Sequence, residues 1–170
     1  DLSATATASG HGFEVPGEVL EAAVDARAAE QRACSLLARA EQHRAGLERK
    51  LAAKDVPRWC ARAALDRLET EGLLSDRRYA EAWIRQRIRG HAEGPRSLAA
   101  TLSSRGVEAV AVRGAIAEVL EESARPAFVA RTAARIASTG QDPAFVRIRM
   151  IELGWRRSEV DDALSSMETC

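Results

Sequence analysis

One pattern of apolar residues recurs three times along the 170-residue chain, and it constrains the fold more than any other feature of the sequence. Within each copy the apolar positions are three to five residues apart, which places them on one face of an α-helix. The second copy follows the first after 51 residues, and the third follows the second after 48. Periods of this size are typical of stacked modules that bury a continuous core. The matching positions are Leu47, Leu51, Val56, Ala61, Leu65 and Leu68, then Leu98, Leu102, Val107, Val112, Ile116 and Val119, then Val146, Met150, Trp155, Val160, Leu164 and Met167.

Each copy contains two helices separated by a short break, and a third helix precedes them. The breaks fall at Lys54-Asp55, Arg105-Gly106 and Leu153-Gly154, and the preceding helices carry Leu37, Ile88 and Ile136 at equivalent positions. Pro95 and Pro143 mark first helical positions, and Ser158 with Asp161 resembles a capping box. Aromatic residues make up only 4% of the chain, and no segment alternates as a strand does. We therefore predict an all-α protein of three tandem three-helix repeats that form an elongated, curved array.

The recurrence divides the chain into four segments. Residues 1–17 are small and polar, with glycine and proline breaks, and are expected to form a flexible tail. Residues 18–72 are predicted to hold the N-terminal helix and repeat 1, with one long helix, or two joined near Ala28, before residue 42. Residues 73–122 correspond to repeat 2 and residues 123–170 to repeat 3.

The stretch from residue 65 to residue 89 joins the first two repeats. Gly72 supplies the positive φ that commonly ends a helix, and the next two residues, Leu73 and Leu74, are expected to bury the corner. Either Ser75 or Asp76 can cap the following helix with a side-chain oxygen. The sequence thus predicts a helix, a tight turn and a second helix.

That second helix carries a stripe of arginines. At about 100° per residue, Arg78, Arg85 and Arg89 share one sector, and Arg87 and Arg96 extend the positive surface. Between residues 73 and 105 there are seven arginines and three acidic residues, although the net charge of the chain is zero. Because the guanidinium fork binds phosphate and carboxylate in two-point fashion, these five arginines are the predicted partner-binding residues. The alternative is an ordinary solvated helix face with Glu81 and Glu93 as partial partners.

A second basic cluster and three tryptophans are weaker candidates for binding. The cluster comprises Arg44, Arg49, Lys50, Lys54 and Arg58. The tryptophans could stack on single-stranded bases, but burial is expected for Trp83 and Trp155, and less so for Trp59. A helix-turn-helix that reads DNA is conceivable over 44–68, but its second helix offers no Asn or Gln to pair with adenine.

The sequence at the centre of the chain resembles the signature of the RecX family of recombination regulators. The resemblance is carried by ETEGLLSDRRYAEAWIRQR at 69–87 and by LSSRGV at 102–107, and it extends over roughly residues 32–167. The chain departs from the family pattern at Asp55, where glycine is frequent, and at Leu153, where a basic residue is usual. The resemblance implies three tandem three-helix repeats.

The same resemblance implies a function and a partner. A RecX-like protein would bind RecA nucleoprotein filaments on single-stranded DNA, limit filament growth, and lower RecA ATPase, strand exchange and co-protease activity. It would be a cytoplasmic protein of DNA repair, recombination and the SOS response, and we expect it to act as a monomer. The alternative is a helical module that acts directly on nucleic acid, and weak direct DNA binding is compatible with both hypotheses.

Catalytic, metal and membrane functions find no support in the residues. The chain has no phosphate-binding loop, nucleophile elbow or paired metal-ligand motif, so we expect no enzyme activity, catalytic residue or cofactor. The three cysteines and three histidines are scattered, which argues against a disulfide framework and a metal site. No apolar run approaches the length of about 20 residues that a membrane span requires.

Overall fold

The structure, a computed structural model, describes residues 17–122 and 125–168 and contains nine α-helices and no strand in these ranges. The all-α prediction is therefore confirmed. The predicted tail lies outside the described residues except for Gly17, where the first helix begins. The helices are α1 (Gly17–Leu37), α2 (Arg44–Ala52), α3 (Arg58–Thr70), α4 (Asp76–Gly90), α5 (Pro95–Ser104), α6 (Ala109–Glu122), α7 (Arg125–Ala137), α8 (Pro143–Glu152) and α9 (Arg157–Glu168).

The apolar residues form three separate core clusters, each built from three consecutive helices. The first lies among α1, α2 and α3, the second among α4, α5 and α6, and the third among α7, α8 and α9. All the recurring positions are buried except Ile116, which is partly buried, and Met167, which is 36% exposed. The three-helix repeats are thus confirmed, whereas the segment boundaries stay a prediction.

The break between the second and third helix has the same backbone geometry in every repeat. Asp55, Gly106 and Gly154 have φ values of 56°, 90° and 93°. Each is followed by a residue whose amide donates to a carbonyl of the preceding helix, as in Val56 N to Leu51 O at 3.2 Å. Positive φ is unstrained for glycine and tolerated by aspartate, which explains why the substitution of glycine by Asp55 is accommodated.

Helix caps confirm part of the local prediction and correct the rest. The Ser75 side chain accepts from the amide of Arg78, so Ser75 caps α4, and Pro95 and Pro143 occupy first helical turns. The predicted capping box at Ser158 is wrong, because α9 begins one residue earlier, at Arg157.

Two further local predictions are resolved by packing. The N-terminal helix is one continuous helix, α1, rather than two joined near Ala28. Leu74 is 2% exposed, as expected, but Leu73 is 50% exposed, so the buried-corner prediction is confirmed for Leu74 and wrong for Leu73. The turn at Gly72 directs only one of the two adjacent leucines into the core, and Gly72 has the predicted positive φ of 70°.

Hydrogen bonds connect consecutive repeats. At the first junction, the Asp76 carboxylate accepts from the amides of Arg44 and Glu108, at 2.8 and 3.1 Å. At the second, the amide of Gly94 donates to Leu153 O at 2.7 Å, and the Trp155 indole donates to Ala92 O at 2.9 Å. These bonds fix the orientation of neighbouring repeats. Within the described ranges, no helix combines the length and the apolar character needed to cross a membrane.

Candidate partner-binding surface

Helix α4 presents its arginines around a narrow buried face. Ala80 and Ile84 are the buried residues of the helix, and the remaining sides carry five arginines against two acidic residues, Asp76 and Glu81. Asp76 occupies the first turn, where a negative charge is favourable, and two of the arginines lie in the last turn, where a positive charge is favourable. The local charge pattern therefore stabilises this helix and also exposes an arginine surface.

Arg78 is engaged within the protein. Its guanidinium donates to Glu41 at 2.9 Å, to Gly72 O at 2.6 Å and to Leu73 O at 2.8 Å. The ion pair crosses from repeat 2 to the segment between α1 and α2, and the two carbonyls belong to the turn before α4. These contacts use most of the guanidinium donors, so Arg78 stabilises the turn between α3 and α4.

Arg87 is also engaged internally. Its guanidinium donates two hydrogen bonds to one oxygen of Glu93, at 3.1 and 2.6 Å, and this bonding raises the pKa of Arg87 above its ordinary value. The same group lies 5.9 Å from the Trp83 ring centroid, and the guanidinium of Arg105 lies 5.1 Å from that centroid. Two cations thus contact the half-buried indole, in the distance range of cation–π interactions.

The three other predicted residues differ from one another in their contacts. Arg85 is 41% exposed in its side chain and pairs with Glu81 at 3.5 Å. Arg89 and Arg96 are exposed, and neither forms an ion pair with any residue in the described part of the chain. The structure therefore bonds Arg78 and Arg87 to the segments that flank α4, pairs Arg85 with Glu81 within α4, and exposes Arg89 and Arg96, which have no ion pair in the described part of the chain.

The second basic cluster is largely absorbed by internal contacts. Arg44 pairs with Asp66 at 2.6 Å and also contacts Glu69 and Glu48, while Arg49 donates two bonds of 3.2 Å to Arg105 O across the first repeat junction. Lys50 donates to the Gln42 side chain. Lys54 and Arg58 are exposed.

The three tryptophans differ in burial, because they occupy different positions in the repeat. Trp155 is fully buried, and its ring lies 5.5 Å from the ring of Phe128, which confirms the core prediction. Trp83 is partly buried against the second core cluster. Trp59 is 55% exposed at the start of α3. The Tyr79 hydroxyl reaches the surface, where it accepts from Arg105 at 3.0 Å.

A further basic surface was missed in the sequence. It is a concavity of about 600 Å³ between repeats 2 and 3, here called the junction cleft, and it is lined by Arg96, Arg113, Arg125, Arg156 and Arg157. Its residues are distant in sequence, so no helical period brings them together. The available signal was an arginine in the first turn of each of α5, α7 and α9, where acidic residues are normally favoured, although α9 also has Glu159 there. No group of potential metal ligands occurs in the part of the chain that is described.

The chain is similar to one protein-family model and to proteins named regulatory protein RecX. The family model of the second three-helix domain of RecX matches residues 75–116, from the cap of α4 into α6. The regulatory protein RecX of Thermobifida fusca is 36% identical over 119 residues, which cover 68% of this chain and 63% of that protein. The regulatory protein RecX of Xanthomonas axonopodis pv. citri is 41% identical over 87 residues, covering 51% and 53%. The chain thus spans less than two thirds of the length of these curated relatives.

Solved structures share the fold. A crystal structure of RecX from Lactobacillus salivarius superposes with a TM-score of 0.76 at 17% identity, covering 87% of this chain and 99% of that chain. A second crystal structure of a regulatory protein RecX gives a TM-score of 0.74 at 18% identity, covering 91% and 80%. At this level of identity the likeness establishes the arrangement of helices.

Proposed function

Since this chain belongs to the RecX family, whose named members are regulatory proteins, we propose that it is a negative modulator of the RecA recombinase. It binds RecA–single-stranded DNA filaments and limits their growth, and thereby lowers RecA ATPase, strand exchange and co-protease activity. It acts as a monomer in the cytoplasm. One observation supports the proposal most directly: the segment that matches the family model carries exposed arginines on α4.

The proposed contact residues are Arg85, Arg89 and Arg96. Arg89 and Arg96 are exposed and the Arg85 side chain is 41% exposed, so their guanidinium groups can form two-point bonds with carboxylates on a RecA surface. Arg78 and Arg87 stabilise the segments that flank α4. Arg78 donates to the turn before the helix, and Arg87 donates to Glu93 in the loop after it. Three repeats joined by hydrogen-bonded junctions provide a contact surface long enough to span neighbouring subunits of a helical filament.

The test is charge reversal on α4. We expect R85E/R89E to lose most of its inhibition of RecA ATPase on single-stranded DNA at moderate salt, because two attractive contacts become repulsive. The matched control is R131E/R135E, which reverses two exposed arginines at the same four-residue spacing on α7. The control should inhibit as the unmodified protein does. Unchanged inhibition by R85E/R89E would refute the proposed contact surface.

A direct action on nucleic acid is the alternative function, and the junction cleft is the observation that favours it. The two functions are distinguished by competition. If the filament is the target, excess free single-stranded DNA should leave RecA inhibition nearly unchanged. If bare DNA is the target, free DNA should compete as well as the filament, and the inhibition should fall steeply with salt concentration.

A further inference from the structure

Exposed large apolar side chains are grouped at two places in the described part of the chain, one in the first repeat and one in the third. Val19, Leu20 and Val24 lie in the first half of α1, and each is more than half exposed. Phe145 and Ile148 lie on α8, where Phe145 is nearly half exposed and Ile148 is more than half exposed. Single exposed apolar residues need no explanation, but groups of them mark interaction surfaces.

The first group lies on the solvent side of α1. At about 100° per residue, Leu20 and Val24 are opposite the alanines that α1 buries in the first core cluster. Residues 17–26 contain three acidic residues and no basic residue. Two of them, Glu21 and Asp25, are exposed and form no ion pair in the described part of the chain. These two carboxylates and the two apolar residues, here called the α1 face, make a surface with an apolar centre and an acidic edge.

The second group lies beside a groove of the third repeat. This groove is a concavity of about 510 Å³ between the loop after α4 and the helices α7 and α8, and it is here called the α8 groove. Ile136, Phe145 and Leu153 line it with apolar surface, and Arg135 and Arg149 line it with positive charge. The α8 groove therefore combines the two features that an acidic amphipathic helix requires of its binding site.

The positive charge of the α8 groove is not neutralised within the protein. Helices α7 and α8 carry five arginines and one acidic residue. Arg135 forms no ion pair in the described part of the chain, and Arg149 has an exposed pair with a neighbouring glutamate, which contributes little. Glu93 is the acidic residue of the lining, and it already accepts two hydrogen bonds from Arg87. An acidic partner would thus find favourable charge in this groove.

The α1 face and the α8 groove complement each other in charge and in apolar character. Both are exposed in the same chain, so neither covers the other. We propose that the α1 face of one copy docks into the α8 groove of a second copy. The apolar centre of the face packs against Phe145, and its acidic edge faces Arg135 and Arg149.

The contact joins two different surfaces, so it is heterologous. Each added copy still presents an unused α1 face or α8 groove, and association does not stop at two copies. A few large apolar residues on each side make a small interface, and small interfaces are weak and transient. The chain is therefore monomeric when dilute, as in the proposed action, and joins head to tail when it is concentrated.

The experiment measures the sedimentation velocity of the full chain, without RecA or nucleic acid, from about 10 μM to about 1 mM, where weak interfaces assemble. We expect the weight-average sedimentation coefficient to rise continuously and to pass the value for two copies. E21R/D25R should weaken this association about tenfold or more, because attractive charge pairs become repulsive. R135E/R149E should weaken it to a similar extent for the same reason.

A mixture of these two variants tests the pairing itself. E21R/D25R has a basic α1 face and an unmodified groove, whereas R135E/R149E has an acidic groove and an unmodified face. Neither variant should associate with itself, but the basic face of one matches the acidic groove of the other. The equimolar mixture should therefore recover the association that each variant has lost.

Two further variants separate apolar contact from net charge. L20N/V24N removes the apolar centre of the α1 face and keeps its charges, and it should also weaken the association. E121R/D162R is the matched control, because it makes the same change in net charge as E21R/D25R at exposed acidic residues of α6 and α9. The control should associate as the unmodified chain does. Circular dichroism verifies that each variant is folded.

Four results would overturn the proposal. An unmodified chain that stays monomeric at the highest concentration would mean that another segment or another partner covers the α1 face. Equal weakening by E121R/D162R would mean that net charge alone controls association. The other two are a mixture that associates no better than its components and unchanged association of L20N/V24N. Since RecA is absent from this experiment, none of these results bears on the proposed action on RecA, which R85E/R89E tests separately.

Discussion

Replacement of Asp76 by alanine is expected to weaken the first repeat junction more than any other single carboxylate change. One oxygen of this side chain accepts from the amide of Arg44, which begins α2, and the other accepts from the amide of Glu108, which precedes α6. Asp76 itself lies in the first turn of α4. A single carboxylate therefore satisfies the N-termini of two helices that belong to different repeats.

The magnitude follows from the environment of each bond. A side-chain bond to a helix N-terminus contributes about 0.5–2 kcal/mol, and hydrogen bonds to charged groups lie towards the upper part of this range. The bond to Arg44 is partly buried, whereas the bond to Glu108 is exposed. We therefore assign about 1.5 kcal/mol to the first and about 0.5 kcal/mol to the second, or about 2 kcal/mol in total for D76A. D76N keeps one acceptor oxygen and should lose about 1 kcal/mol.

The assay is urea unfolding followed by far-ultraviolet circular dichroism. With an m-value of about 2 kcal/mol/M, a loss of about 2 kcal/mol lowers the midpoint by about 1 M. Because the bond between Asp76 and the Arg44 amide joins two repeats, the unfolding transition of D76A should also broaden as the repeats unfold less cooperatively.

The control is E152A, which removes an exposed ion pair with Arg149. Exposed pairs contribute about 0–1 kcal/mol, so the E152A midpoint should stay close to that of the unmodified protein. If D76A shifts the midpoint no further than E152A does, Asp76 does not couple the repeats and the reasoning fails.

Three other perturbations test the remaining contacts. G94A should lose about 2 kcal/mol or more in the same urea assay, because a Cβ at Gly94 would lie 2.6 Å from backbone atoms of Gly154 and Trp155, whereas G90A, whose Cβ meets nothing, should not lose stability. His43 caps α2 by accepting from the amide of Gly46 at 3.2 Å, and burial lowers the pKa of His43 below its ordinary value of 6.5. The unfolded chain therefore binds a proton at His43 more tightly than the folded chain does, and the melting temperature should fall as pH drops below about 6.5. In H43N this pH dependence should be weaker between about pH 7.5 and about pH 5.5. W155F should lose about 1–2 kcal/mol through the lost indole bond to Ala92 O, and an unchanged melting temperature would show that this bond contributes nothing at the second junction.

Local sequence determined the helices, the breaks between them and the three cores. The apolar spacing, the positive φ of Gly72 and Gly106, and the prolines that open α5 and α8 depend on residues within a few positions of each other. A single sequence displays such relations directly, because a helix repeats every 3.6 residues. The same local reasoning found the arginine-rich helix α4 and its cap at Ser75.

Tertiary structure alone decided which of those arginines bond to distant parts of the chain. Arg78 finds Glu41, which lies 37 residues away, and Arg49 finds a carbonyl 56 residues away. The junction cleft likewise exists only because the N-termini of helices from two repeats meet. Such contacts depend on how helices cross and how repeats stack, which is set by side-chain packing between helices rather than by spacing along the chain. The sequence by itself therefore determined the fold and the arginine-rich helix α4. The packing of the repeats decided which of the α4 arginines form hydrogen bonds with other parts of the chain.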